Sequence, residues 1–213
     1  MQSALTVLTP AEEIALVSLY EAKVALNILP SVSTSDEMIQ TFIDWSSAEA
    51  ATFCNRVFAK EKVEETFTEL GFNSRIYLSR YPVRPEEIVS ITEAGVPVPV
   101  SNYLLDGNSG TLTRRSGMLS VLWGGPVTVI YSGGYKLPFE APLALRQAVH
   151  LITKEAYFAA TRGDASVRMV AHKESRVMYF DPNQRGSSGG AAAGSPARRA
   201  VNDLLRRFMR VPI

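Results

Sequence analysis

The stretch 126–152, PVTVIYSGGYKLPFEAPLALRQAVHLI, decides the fold class. VTVIY reads as a strand, rich in β-branched and aromatic residues, and it runs into Gly133 and Gly134. After a turn at Lys136 to Pro138, Leu145, Ala148, Val149, Ile152, Ala156 and Ala159 recur at helical spacing until Gly163. Pro142 sits where a first helical turn tolerates a missing N–H. A strand joined through a short turn to a long helix points to an α+β chain.

Working outward, the segment before Pro126 has the period of strands. KVEETFTEL alternates, RIYLSRYPV is β-branched and aromatic, and EEIVSITEAG ends at a turn glycine. VSNYLLDGNSGTLTR and MLSVLWGGPVTVIYSGGY complete a series of short strands joined by tight turns, which predicts an antiparallel β-meander. Further upstream, Ile39, Ile43, Ser46, Ala50, Phe53 and Val57 recur at steps of three and four, predicting an amphipathic helix from about Asp36 to Phe58. YEAKVALNI reads as a short helix ended by Pro30, and ALVSL before it as extended. Thr9 with Glu12 and Ser18 with Glu21 both have capping-box spacing. Downstream come two extended pieces, ASVRMVA and ESRVMYFD, then RGSSGGAAAGSP, a flexible linker by composition, and a last helix over 197–210. The expected architecture is a helical core of two long helices plus a short one, an antiparallel β-meander, and a C-terminal helical arm. The expected boundaries are a domain at 1–185, a linker at 186–196 and a docking helix at 197–213.

Composition narrows the function classes. The chain has 213 residues, 46% hydrophobic and 20% charged, as globular proteins do. One cysteine, Cys54, excludes an intramolecular disulfide and a CxxC metal site, and two histidines, His150 and His172, are too few for a ligand cluster. Neither a signal peptide nor a stretch near the roughly 18 apolar residues of a membrane span is evident. The formal net charge of +1 hides an asymmetry: residues 1–71 hold 4 basic and 11 acidic side chains, and residues 146–213 hold 12 and 5. Opposed ends of −7 and +7 suit head-to-tail association of identical subunits as well as they suit ordinary solvated helix faces.

Catalytic motifs are absent. GNSGT and WGGPV lack the phosphate-loop spacing, and SGGY does not run straight from strand to helix as a dinucleotide fingerprint does. Both histidines follow Ser109 in the chain, against the serine-protease order. Glu64 with Glu65, and Glu86 with Glu87, are sequence neighbours and point to opposite faces of a strand. Cys54 belongs to an apolar stripe rather than an electropositive pocket. No enzyme, cofactor or metal is expected.

The order LYEAKVALNI, TSDEMI, LSRYPVRPEEIVSI, NYLLDGNSGTLTR, VTVIYSGGYKLP and an alanine- and valine-rich helix resembles the head-tail connector (adaptor) proteins of long-tailed bacteriophages, over about residues 15–180. That resemblance implies a homo-oligomeric ring, of twelve subunits by family, in the virion neck, assembled in the host cytoplasm. The ring would dock beneath the portal, receive a stopper or tail-completion protein, and let DNA pass without sequence-specific binding and without membrane contact. In such a ring Tyr131, Gly133, Gly134, Tyr135 and Pro138 read as an angle-setting junction: the glycines allow a sharp turn and Pro138 fixes it.

Two further contact elements are expected. The loop of Asp106, Gly107, Asn108, Ser109 and Gly110, with Arg114 and Arg115 behind it, reads as a projecting tip whose Gly107, Asn108 and Gly110 adopt positive φ. The final helix carries Val201, Leu204, Leu205, Phe208 and Met209 on one face, flanked by Arg198, Arg199, Arg206, Arg207 and Arg210. It reads as a portal-docking arm that orders only on its partner, with packing on its own domain as the other arrangement. The same five arginines support an alternative function, a nucleic-acid-binding module.

Overall fold

A computed structural model describes residues 3–161, 169–172, 175–178 and 196–210. The elements in chain order are β1 (Ser3–Thr9), α1 (Leu19–Ala25), α2 (Asp36–Cys54), β2 (Glu61–Phe67), β3 (Arg75–Tyr77), β4 (Ile88–Glu93), β5 (Val96–Pro97), β6 (Tyr103–Asp106), β7 (Thr111–Ser116), β8 (Leu119–Ser120), β9 (Val127–Gly133), α3 (Leu143–Thr161), β10 (Met169–His172), β11 (Ser175–Met178) and α4 (Pro196–Leu205). The class is α+β, as the strand-to-helix handover predicts. The glycine-rich linker lies outside the described residues except for Pro196, which opens α4.

The chain divides by contact into two compact units. One holds β1 to β9, and the other comprises Ala15–Cys54 with Pro142–Met209. In the first unit β1, β2, β9, β4 and β5 form one sheet in that order, and β3, β7 and β6 form another, with β8 paired to β7. Every ladder is antiparallel, but β9 inserts between β2 and β4, so the order departs from that of a simple meander. On β2 the side chains of Val63, Glu65 and Phe67 turn inward, opposite Tyr131, Val129 and Val127 of β9. They share one core with Ile76, Leu78, Leu112 and Trp123 from the second sheet and its connections. The alternation thus separates Glu64 from Glu65, as period two requires.

The strand β1 does not follow from the residue pattern. It pairs with β2 from Ser3↔Phe67 onward but is exposed along both faces, so burial leaves almost no alternation to read. ALVSL, in contrast, is not a strand. Ala15, Leu16 and Val17 are buried as an irregular lead into α1, with the Leu16 amide donating to Ser47 Oγ at 3.1 Å.

In the second unit the Ser18–Glu21 capping box is the one that forms, and it opens α1. The three residues EAK each have a distinct task. Glu21 closes the cap and pairs with Arg146 at 2.7 Å, while Ala22 packs inward. Lys23 is only 4% exposed, and its Nζ reaches Asp36 at 2.5 Å and the Pro30 carbonyl at 3.2 Å. The helix α2 ends at Cys54 rather than Phe58, because Asn55 takes a left-handed φ of 49°. Its stripe of Ile39, Ile43, Ser46, Ala50 and Cys54 packs on α3, where Thr153 Oγ1 bonds Ser46 Oγ at 3.1 Å. Thr153 completes the buried stripe of α3, whereas Ala156 is half-buried and Ala159 exposed.

The sheet core encloses one carboxyl group. Glu65 is 0% exposed, and its two oxygens accept from Ser79 N (2.9 Å), Ser79 Oγ, Ser3 Oγ (3.1 Å) and Tyr131 Oη (2.7 Å). The Tyr131 oxygen accepts in turn from Arg80 N at 3.1 Å. Burial first, then the Glu65 charge, pushes the Tyr131 hydroxyl far above the ordinary tyrosine value, so it remains a donor. Tyr131→Phe removes one donor from a buried carboxyl and one acceptor from a backbone amide. It is expected to cost about 1–3 kcal/mol, read as a lower denaturant midpoint at unchanged slope.

Candidate functional site

At the strand-helix junction, a Cβ on Gly133 would lie 2.3 Å from the Arg80 carbonyl oxygen, and one on Gly134 would lie 2.4 Å from that of Ala59. Gly134 also takes φ +110°, donates to Pro82 O at 3.0 Å, and leads into Tyr135, which donates to Phe58 O at 2.8 Å. The glycine pair therefore supports a sharp turn and, beyond that, admits two neighbouring backbones. Tyr135 contributes to an aromatic surround for Arg56, whose guanidinium lies 3.7 Å from the Tyr81 ring centroid, 4.8 Å from that of Phe58 and 6.0 Å from that of Tyr135. Tyr131 stands apart from the turn, in the Glu65 network, and Pro138 follows a cis peptide.

The loop at 106–110 is clamped through the carbonyls of Gly107 and Gly110, while Asp106, Asn108 and Ser109 are exposed. Val83 N donates to Gly107 O at 2.9 Å and Leu78 N to Gly110 O at 2.8 Å. A Cβ on Gly107 would meet Val83 O at 2.0 Å, so Gly107 is a packing glycine; of the three positions expected at positive φ, only Gly110 has it, at 67°. Asp106 holds the turn by accepting from Asn108 N at 3.2 Å and Ser109 Oγ at 2.6 Å, and the Ser109 bond first of all lowers its pKa. Arg114 is held inside the unit by Glu93 at 2.9 Å, the Asn102 carbonyl at 2.8 Å and the Trp123 ring at 5.6 Å. Arg115 is half-buried in β7.

The next tip, at Gly117, lies between β7 and β8. Met118 there is 94% exposed, and Leu119 follows it outward. The bond from Trp123 N to Asn73 O, 3.2 Å, draws the strand after this tip towards the segment that carries Phe72, also almost fully exposed. The signal was present in the run SGML, where two large apolar residues follow a turn glycine.

The last helix packs on its own chain. Val201 and Leu205 are buried, α4 contacts α3 and α2, and Leu205 O accepts from Cys54 Sγ at 3.5 Å. Arg198 pairs with Glu49 at 2.5 Å and Glu155 at 3.4 Å, and Arg206 with Asp203 at 3.6 Å. The apolar face on which portal docking by a free arm rests is thus covered by α2 and α3. Leu204 and Phe208 are half-buried, and Arg199, Arg207 and Met209 are exposed. Arg210 is half-buried and falls with the sheet unit. With Arg198 and Arg206 in ion pairs, the five arginines do not form one continuous phosphate-binding row.

No chemistry gathers elsewhere among the described residues. No group of three or more metal-ligating side chains occurs, and no helix is long and apolar enough to cross a membrane. Cys54 is fully buried. His150 is partly buried, which lowers its pKa against the opposing effect of Glu21, and Arg146 and Lys154 lower it further.

No family model matches the chain, and no curated protein matches it. Solved structures do. The chain shares its fold with components of gene transfer agent particles. A chain from the neck of an empty particle, computed with C6 symmetry, is 17% identical with a TM-score of 0.57, covering 99% of this chain and 97% of that one. A chain from the native virion is 18% identical with a TM-score of 0.56 over 98% and 96%. A third, from the native neck computed with C12 symmetry, is 20% identical with a TM-score of 0.56 over 99% and 97%. Both units of this chain therefore belong to the shared fold.

The clamped loop makes a direct comparison possible. Gly107→Ala forces a methyl against the Val83 carbonyl and is expected to cost about 2 kcal/mol or more, whereas Asn108→Ala, one residue away and exposed, stays within about 0.5 kcal/mol. Thermal unfolding of the two variants checks the contrast, and equal losses would contradict the clamp.

Proposed function

We propose that the protein is a structural, non-enzymatic component of the neck of a tailed-phage-like virion. In this reading it forms a ring beneath the portal, joins the DNA-filled head to the stopper or tail, and leaves a passage for DNA. The observation that carries the reading is that the likeness to neck chains runs from end to end, over 99% of this chain and 97% of the neighbour. The connector motifs also meet in three dimensions: LSRYPV bonds the VTVIYSGGY strand through Arg80 and Pro82, and the loop at 107–110 through Leu78 and Val83. Two neighbouring folds come from necks computed with C6 and C12 symmetry, and a ring of this protein is proposed on that basis. The exposed apolar tip at Met118 and Leu119 is proposed as a contact element beside the loop at 107–110.

Deleting the gene from a producing strain is expected to yield heads filled with DNA, or leaking it, and lacking attached tails in electron micrographs. Complete particles of normal stability would overturn the reading.

The isolated protein is expected to be monomeric or weakly associated, with the ring completed on the portal. Charged contacts are screened within about 10 Å at 0.1 M salt, so the template supplies much of the local concentration. Sedimentation at micromolar concentration checks this, and a tight closed ring in the absence of portal would contradict it.

A further inference from the structure

We infer that, in the ring proposed above, the outward face of α2 on one subunit docks onto the outward face of α4 on the next. The inference rests on the neck reading and deepens it by naming the two faces that meet.

The charge asymmetry resolves, in the structure, onto two helices of one unit. The helix α2 holds Asp36, Glu37, Asp44 and Glu49 and no basic residue. From Pro196 to Phe208 the chain holds Arg198, Arg199, Arg206 and Arg207 against Asp203. Part of this charge is satisfied within the subunit, through Asp36 with Lys23 and Glu49 with Arg198. What remains points outward.

On α2 the outward or half-exposed stripe is Glu37, Thr41, Asp44, Trp45, Ala48 and Thr52, within roughly 100° of arc at 3.6 residues per turn. On α4 and the turn after it the outward stripe is Arg199, Ala200, Asp203, Arg206 and Arg207. The first stripe carries two acids and no base. The second carries three bases and one acid, so the two balance at −2 and +2. Each stripe faces away from the core that the inward sides of α2, α3 and α4 build together.

The shapes also correspond. Trp45, 50% exposed, stands in the acidic stripe with small neighbours at Thr41 and Ala48. Ala200 leaves a low point at one edge of the basic stripe, beside Asp203 and Arg207. Seated over Ala200, the indole face would meet the Arg199 or Arg207 guanidinium, the favoured cation–π partner of tryptophan, with Met209 at the edge. A central aromatic with a charged rim is the usual anatomy of an interface hot spot. Because the two stripes belong to different helices, the contact is heterologous, which is the type that closes a ring of identical subunits.

The test is a charge swap in a deletion strain complemented with full-length protein, reading the amount of the protein per purified particle. Glu37→Arg with Asp44→Arg, and separately Arg199→Glu with Arg207→Glu, each set like charges against each other and are expected to lower incorporation about tenfold or more. All four substitutions together restore the complementarity and are expected to bring incorporation back to near wild type. Trp45→Ala is expected to lower incorporation while leaving thermal unfolding of the purified protein unchanged. Unchanged incorporation in both charge variants overturns the interface and leaves the neck reading intact. Loss in each without recovery in the combination also overturns it, since the faces then meet something other than each other. Absence of the wild-type protein from particles overturns the neck reading itself.

Discussion

The sheet unit depends on a carboxyl group placed where no water reaches. Burying Glu65 carries a heavy desolvation cost unless its oxygens are saturated, and four donors from three places in the chain saturate them. Ser3 belongs to the first strand, Ser79 to the segment before the cis proline at 82, and Tyr131 to the strand that leads towards the long helix. The requirement to satisfy one group therefore sets the position of three segments that share no sequence neighbourhood. The adjoining Arg80 extends the arrangement, since its amide serves Tyr131 and its side chain pairs with Glu61 at 2.7 Å.

Close backbone approach completes what the carboxyl begins. Gly107, Gly133 and Gly134 each lie where a methyl group would strike a carbonyl oxygen of a different segment. Those carbonyls belong to Val83, Arg80 and Ala59, which flank the Glu65 network on either side. The region read as loops and a turn is consequently among the most tightly interlocked parts of the unit. Gly133 and Gly134 are buried, whereas Met118, Leu119 and Phe72 are exposed.

The helical unit follows a different rule, in which charge sorts the surfaces. A lysine buried against Asp36 and the Pro30 carbonyl orders the α1–α2 connection, and Arg198 draws α4 onto α2 and α3. The Arg198–Glu49 and Arg146–Glu21 pairs join an acid from the start of the chain to a base from its later part, the same complementarity that the proposed contact between subunits uses.

Local pattern was enough for the elements whose environment is simple. The stripes of α2 and α3, the alternation of β2 and β9, and the Ser18–Glu21 cap all follow from period and capping chemistry, and so does the α+β class. The order of motifs resembles that of head-tail connectors, and the fold is shared with chains from gene transfer agent particles. What the pattern misread has a common cause, which is that burial and partners are properties of the assembled chain. The strand β1 was illegible because both its faces are exposed, and ALVSL looked like a strand because its apolar residues are buried without being regular. DGNSG has the composition of a free loop, and only the approach of the Val83 backbone shows Gly107 to be a packing residue. Arg114 and Arg198 look like surface charge until Glu93, Glu49 and Glu155 arrive from distant positions. The amphipathic face of α4 was plain in the sequence, but not what covers it, because an apolar stripe specifies that it must be buried and leaves the choice of partner to the tertiary fold.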